Sequence, residues 1–342
     1  MTRQLATRAG AISLPAFIPV TTFGSRFPLD PLVRPYLPLL AQAALVSYPY
    51  AQGPAPSLRI PLLLDSGGFA CLLPGGRVEE EDGLGVLVLA PEGEPPLRIH
   101  PRDVLELQER IADVAFTLDF PIPPGLDRTE ARRRAALGQA NARWALRNRR
   151  RRDLPLFAGV QGADPAGYAA AARRLAAEPF DGFAIGGLVP RARDHELVAE
   201  IARRVRAAIG DRPLHAFGLG QPELLSRLFR GGVDSSDSTS YLKLAADGLL
   251  LGQAGPPAAD PSPTERLHLA LCNLAALAGR AFPLSAAGLV FRTHALGPRD
   301  GGRWTDAGAR EAEARGPPAR PSRRSDRRRG EGPPRRGRSR SG

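Results

Sequence analysis

Lysine and cysteine are almost missing from this chain. Lys243 is the one lysine among 47 basic residues, so Schiff-base chemistry is not expected here, and nearly every positive charge is a guanidinium, the planar fork that grips phosphate oxygens in pairs. A base-composition bias gives the same count. The two cysteines, Cys71 and Cys272, stand 201 positions apart in apolar surroundings. That spacing excludes a cysteine metal or redox motif, fits a reducing compartment, and reads both thiols as small core hydrophobes. No run reaches the ~18 uninterrupted apolar residues of a membrane span. The N-terminus lacks the apolar stretch and cleavage site of a signal peptide. The expectation is a cytoplasmic protein with no membrane partner.

What is present is a core-forming chain with unevenly placed charge. The 43% hydrophobic content over 342 residues excludes wholesale disorder and suffices for one large α/β domain or two ordinary ones. The net charge of +12 resolves into two basic segments on an acidic remainder. Residues 315–342 hold eleven arginines against Asp326 and Glu331, and residues 128–152 hold ten against Glu130; each segment carries +9, which leaves −6 for everything else. This distribution points to a polyanionic partner, with Arg143, Arg147, Arg149, Arg150, Arg151 and Arg152 as candidate nucleic-acid contacts. As a solvated helix end complementing the macrodipole, the same run needs no function.

From about residue 10 to 290, short apolar runs alternate with turns and amphipathic stretches. Strands are predicted at 15–22, 44–48, 62–64, 114–118, 156–160, 182–185, 214–218 and 232–235, several of them continuous apolar runs as in parallel strands covered on both faces. Between them lie helical patterns, the clearest at 194–209, with Asp194 as N-cap and one apolar face through Leu197, Val198, Ile201, Val205 and Ile209. Pro222 stands at a first helical position. Eight such units predict an α/β fold of the TIM (β/α)8 barrel type over residues 1–298. Residues 74–99, with the acidic cluster Glu79, Glu80, Glu81 and Asp82, read as a β-hairpin insertion. Residues 299–342 are Arg, Pro and Gly-rich and read as a disordered basic tail.

In such a barrel the chemistry sits at the C-terminal strand ends. There the sequence places Asp65-Ser66-Gly67-Gly68-Phe69, Asp119, Gln161-Gly162, Gly186-Gly187-Leu188, Phe217-Gly218-Leu219-Gly220 and Asp237. Three carboxylates, an amide, bare glycine backbone and the rings of Phe69 and Phe217 suit a planar hydrogen-bonding base such as a purine. One carboxylate as nucleophile at a sugar C1′ and another as acid/base would give the double displacement of retaining glycosidases. Each residue alone has a structural reading. An Asp after a strand is often an N-cap, Gly-Gly is often a turn, and Asp234 reads as structural beside Asp237. His195 and His215 show no partner pattern and are read as structural too.

In collinear order over roughly residues 5–290, these motifs resemble the tRNA-guanine transglycosylase family, which exchanges guanine in RNA for a 7-deazaguanine. The resemblance rests on the opening strand Leu14-Pro15-Ala16-Phe17-Ile18-Pro19-Val20, on Ser47-Tyr48-Pro49-Tyr50, on the specific Asp65-Ser66-Gly67-Gly68-Phe69, and on Gly159-Val160-Gln161-Gly162. Gly186-Gly187-Leu188, Gly218-Leu219-Gly220-Gln221-Pro222-Glu223-Leu224 and the loop through Asp237-Ser238 follow. It implies that Asp237 is the nucleophile of a covalent ribosyl intermediate and Asp65 the acid/base. Asp119, Gln161 and the backbone of Gly187 and Leu188 then read the base edge between Phe69 and Phe217. The partners implied are tRNA, a 7-deazaguanine base and a second copy of the chain as a homodimer, with the target base extruded from its stack to reach the barrel mouth.

The departures are informative. The family's Cys-x-Cys-x-x-Cys plus His zinc site has no counterpart, since residues 256–265 contain no cysteine, so no metal and no cofactor are expected. Ser238-Thr239-Ser240-Tyr241 with Ala245, and Asp119-Phe120-Pro121-Ile122-Pro123-Pro124, look like the archaeal form, without its C-terminal RNA-binding domain. These losses touch the parts that hold tRNA in the relatives. Exchange on DNA, as in a related branch that inserts 7-deazaguanines there, and a non-catalytic nucleic-acid-binding subunit are therefore kept as alternatives. An unrelated barrel hydrolase would leave both arginine clusters unexplained.

Overall fold

The computed structural model describes residues 3–280, except 25, 26, 56, 91, 92, 94 and 253–260. Eight parallel strands close into a barrel in the order in which they occur along the chain. They are β1 (Ala16–Thr21), β2 (Ala44–Ser47), β3 (Leu62–Asp65), β4 (Val114–Phe116), β5 (Leu156–Val160), β6 (Gly182–Ile185), β7 (Leu214–Ala216) and β8 (Ser235–Ser238), with β8 pairing back onto β1 and β4 onto β5. Leu156–Val160 and Gly182–Ile185 are buried throughout, as their unbroken apolar runs predict for strands covered on both faces. The helices start where the sequence places cap chemistry. Asp127 accepts from the N–H groups of Thr129 and Glu130 at the head of Arg128–Asn148, Asp194 from Leu197 at the head of His195–Ile209, and Pro222 opens Pro222–Arg230.

Two cores hold the barrel. Inside it, Ile18, Leu45, Leu63, Val114, Phe116, Phe157 and Ala184 pack together, joined by Ile12 and Leu14. The last two come from an N-terminal hairpin, Arg3–Thr7 paired with Gly10–Leu14, that leads directly into the start of β1. The hairpin thus plugs the base of the barrel, and Arg3 ties it to Asp234 beside β8. Outside, the strands pack on the surrounding helices through Leu64, Val160, Ile185, Ile201, Leu224 and Leu271, among others. Cys71 lies in this outer core, its thiol pushed up to about 12 by burial, as expected of an inert core cysteine.

Three local expectations are corrected. The last strand runs over Ser235–Ser238 rather than 232–235. Gly232 turns with φ +92°, and the Asp234 carboxylate accepts from the Leu214 N–H and from Arg3 and Arg206, so residues 232–234 form the entry to the strand. The insertion at 74–99 is a three-stranded antiparallel sheet, Gly76–Glu81, Leu84–Leu89 and Leu97–Ile99, because the short third segment pairs with the second. Strand β2 passes to β3 through a single 3-10 turn, Tyr48–Tyr50, and a loop. The predicted tail at 299–342 and the boundary at 298 lie outside the described residues. Among the described residues, no helix is long and apolar enough to cross a membrane.

Candidate active site

With the base plugged, the open end of the barrel is the mouth formed by the C-terminal strand ends, and the polar residues singled out by sequence gather there. Asp65 is the last residue of β3; its Oδ2 accepts the Ser47 hydroxyl at 2.8 Å and the Gly67 N–H at 3.3 Å. Burial pushes its carboxyl up to about 6 against the pull of the Ser47 hydrogen bond, and the charge of Asp237 adds to the rise. Asp237 lies within β8, where its Oδ1 accepts from His215 Nε2 and from the Gly218 N–H, each at 3.0 Å. Asp119, three residues beyond β4, is pushed up to about 7 by burial, opposed by a 2.7 Å hydrogen bond from Gln161 Nε2 and reinforced by the charge of Asp65. Asp65 and Asp119, both raised well above the ordinary carboxylate value, thus stand beside a third carboxyl, Asp237, at one mouth.

The other side of the mouth is built from backbone held unusually close. A Cβ on Gly68 would lie 1.8 Å from the Asp119 carbonyl oxygen, so only glycine fits there, and one on Gly186 would lie 2.0 Å from Gln161 Nε2 and push that amide from its place. Gly187 turns with φ +68° ahead of the fully buried Leu188. Two buried side chains brace this turn. Tyr168 donates to the Gly186 carbonyl at 2.7 Å, and Arg191 donates to the carbonyls of Gly187 and Ile122 at 2.7 and 2.8 Å. Among the described residues, the buried Gln161 Oε1 has no hydrogen-bond partner. Phe217 packs edge-on against Phe116 and His215, and Phe69 is 45% exposed at the turn after β3. The arrangement offers donors, acceptors and aromatic surface to a flat heterocycle.

Asp65, Asp119, Gln161, Gly187, Leu188, Phe217 and Asp237 thus stand at strand ends around one mouth, with Phe69 on its rim. His215, read as having no partner pattern, is corrected on that point, since it is fully buried and bonded to Asp237. The signal was available in strand period. His215 and Ser235 are paired in register, so 215, 217, 235 and 237 share one face. Tyr168 and Arg191 were also missed, as braces whose hydrogen bonds go to backbone carbonyls, with the guanidinium lying over the ring, 5.9 Å from its centroid. His195 is half-buried, and its Nε2 lies 2.9 Å from Gln221 Oε1. Asp234 is structural, as expected.

The arginine run is placed elsewhere. Arg147 lies in the last turn of Arg128–Asn148, and Arg149 to Arg152 follow its end and precede β5, which puts them at the base of the barrel, opposite the carboxylates. Arg149 is buried, pairing with Asp181 and donating to the Leu154 carbonyl, so its charge is spent on the fold. Arg151 donates to the carbonyls of Glu109 and Ala112, and Arg143 pairs with Glu178. Arg147, Arg150 and Arg152 are exposed. At the mouth end of the same helix, Arg128 and Arg132 are exposed instead.

Among the described residues no group of three or more His, Cys, Asp or Glu is placed to hold a metal ion. The family's zinc does not fit the donors present. His268 Nε2 stands 3.6 Å from Cys272 Sγ, one helical turn apart, and burial raises that thiol rather than favouring the thiolate a metal needs.

Comparison with known proteins agrees with this geometry. The family model described as queuine tRNA-ribosyltransferase matches residues 55–275. A queuine tRNA-ribosyltransferase of Sorangium cellulosum is 31% identical over 284 residues, 74% of this chain and 68% of that protein. One from Thermotoga petrophila is 31% identical over 198 residues, covering 56% and 52% of the two chains. A tRNA-guanine(15) transglycosylase of Pyrococcus abyssi is 34% identical over 161 residues, 45% of this chain and 27% of that one. The chain therefore spans about half or less of the latter two relatives.

Proposed function

The chain belongs to the queuine tRNA-ribosyltransferase family, and on that premise we propose that it exchanges guanine in tRNA for a 7-deazaguanine derivative through a covalent intermediate on Asp237. The observation that carries the reading is the pairing of Asp65, whose carboxyl is pushed up to about 6, with an Asp237 carboxylate held through one oxygen only. In the first half-reaction an Asp237 oxygen bonds to the ribose C1′ as the C1′–N9 bond of guanine breaks, and Asp65 gives its proton to the departing base. In the second, Asp65 takes a proton from the incoming base, whose nitrogen attacks C1′ and returns the electron pair to the Asp237 carboxylate. The configuration at C1′ is retained. Asp119, Gln161 and the Gly187 and Leu188 backbone bind the base edge, with Phe69 and Phe217 on its faces. The reaction calls for no metal and no cofactor, and two free cysteines suit a reducing cytoplasm.

A second reading, the same exchange on DNA, is favoured by one observation: the cysteine set of the tRNA enzymes is replaced by two isolated thiols. Labelled guanine incorporation by the purified chain into unfractionated tRNA and into duplex DNA separates the two. Asp237→Ala is expected to abolish incorporation and the denaturant-stable nucleic-acid adduct while preserving the circular dichroism spectrum. Incorporation at the wild-type rate would remove the mechanism, and failure of the wild-type chain on both substrates would favour a non-catalytic subunit.

A further inference from the structure

His215 is a titratable side chain beside Asp237 that the double displacement does not use, and it is entirely buried. Its ring sits between Phe116 and Phe217, with centroids 5.1 and 4.8 Å away, and both nitrogens are engaged. Nε2 lies 3.0 Å from Asp237 Oδ1, and Nδ1 lies 2.8 Å from Ser235 Oγ. A carboxylate oxygen only accepts, so Nε2 carries the proton. In the Nε2–H tautomer Nδ1 accepts from the Ser235 hydroxyl, and the ring is satisfied at both ends. The Gly218 N–H reaches the same Oδ1 at 3.0 Å. Among the described residues, Asp237 Oδ2 accepts no hydrogen bond.

We infer that His215 is a positioning residue for the nucleophile: with the Gly218 N–H it fixes the rotation of the Asp237 carboxylate and leaves Oδ2 as the oxygen that attacks C1′. The inference rests on the proposed base exchange. A free aspartate carboxyl turns broadly about its terminal torsion, and two donors on one oxygen remove that freedom before the reaction, which is how a near-attack geometry is prepared. In the covalent intermediate the new bond is Oδ2–C1′, and Oδ1 becomes the ester carbonyl, still held by the same two donors. When the incoming base attacks C1′, the Oδ2–C1′ electron pair returns to the carboxylate. His215 keeps its proton throughout. Ser235 acts one step further back, since its hydroxyl selects the Nε2–H tautomer.

The test compares His215→Gln, whose amide nitrogen can stand where Nε2 does, with His215→Leu, which fills the space without a donor. The readout is labelled guanine incorporation into unfractionated tRNA and, in parallel, duplex DNA. His215→Gln is expected to stay within about 3-fold of the wild-type kcat, whereas His215→Leu falls by about 10²-fold with KM for guanine within 2-fold of wild type, the size expected for a misplaced reacting group. Nitrogen-15 NMR of wild type should show the His215 Nε2–H tautomer, shifted in Asp237→Asn. Should His215→Leu fail to fold, Ser235→Ala takes its place, with a several-fold fall in kcat and loss of the single tautomer. A leucine variant at wild-type kcat, a glutamine variant as poor as the leucine one, or an Nδ1–H ring would overturn the positioning role while wild-type exchange stands. A wild-type chain that exchanges guanine into neither nucleic acid would remove the functional reading itself, and this role with it.

Discussion

On the proposed function, Asp119 is a carboxylic acid that loses its proton when a base arrives. Burial holds it up to about 7 in the free protein, whereas donor N–H groups of a bound guanine edge favour the ionised form. Guanine binding should therefore release most of one proton per site near pH 6 and close to none at pH 8. The affinity should rise with pH up to about 7 and then level off. Calorimetric titration in two buffers of different ionisation enthalpy reads the proton count, and a count independent of pH would mean that Asp119 does not contact the base. The identities of Asp65, Asp119 and Gln161 were legible in the sequence because each directly follows or ends an apolar strand. The role of His215 was not, since its partner lies 22 positions on and meets it only through the pairing of two neighbouring strands. Asp234 and Asp237 are the same residue type three positions apart, yet one answers two guanidinium groups at the strand entry and the other a histidine at the mouth.

The helix Arg128–Asn148 shows how an element divides its charge between two ends of a barrel. Composition draws attention to its C-terminal arginine run, but whatever lies between a helix end and the next strand sits at the barrel's base. The exposed Arg128 and Arg132 stand at the mouth end. Replacing both by serine is expected to raise KM for tRNA, leave kcat unchanged, and flatten the slope of log affinity against log salt by about 1 to 2, one phosphate contact per arginine. The triple replacement of Arg147, Arg150 and Arg152 by serine should leave slope, KM and kcat as they are. The opposite ranking in a filter-binding salt series would move the nucleic acid to the barrel's base. Where caps and apolar periods lie close together along the chain, as at Asp194 and Pro222, the sequence reading of the elements holds. It slips at Ser235–Ser238, a buried strand of Ser, Ser, Asp and Ser with no apolar alternation to mark it.

At the scale of the whole molecule, the mouth is maintained at the expense of stability. Asp65 and Asp119 have folded-state values of about 6 and about 7 against an ordinary 3.8, so between these limits the native state binds more protons than the unfolded chain. Stability from this source is complete below pH 4 and is lost as pH rises through 6 and 7, by on the order of several kcal/mol for the pair. Surface carboxylates such as Glu130, whose values arginines pull down, act in the opposite sense as pH falls. The informative quantity is therefore a difference between variants. Asp119→Asn is expected to melt several degrees above wild type at pH 8 and no higher at pH 4, while losing guanine binding; a difference in Tm independent of pH would exclude its buried proton as the cause. By itself the sequence determined the eightfold alternation, the barrel it implies and the polar residues at its mouth, because these depend on the order of residues over short spans. The tertiary structure alone decided which oxygen of Asp237 is held, which arginines face the mouth and which acids keep their protons, because those depend on distances and burial set by strands that meet only when the barrel closes.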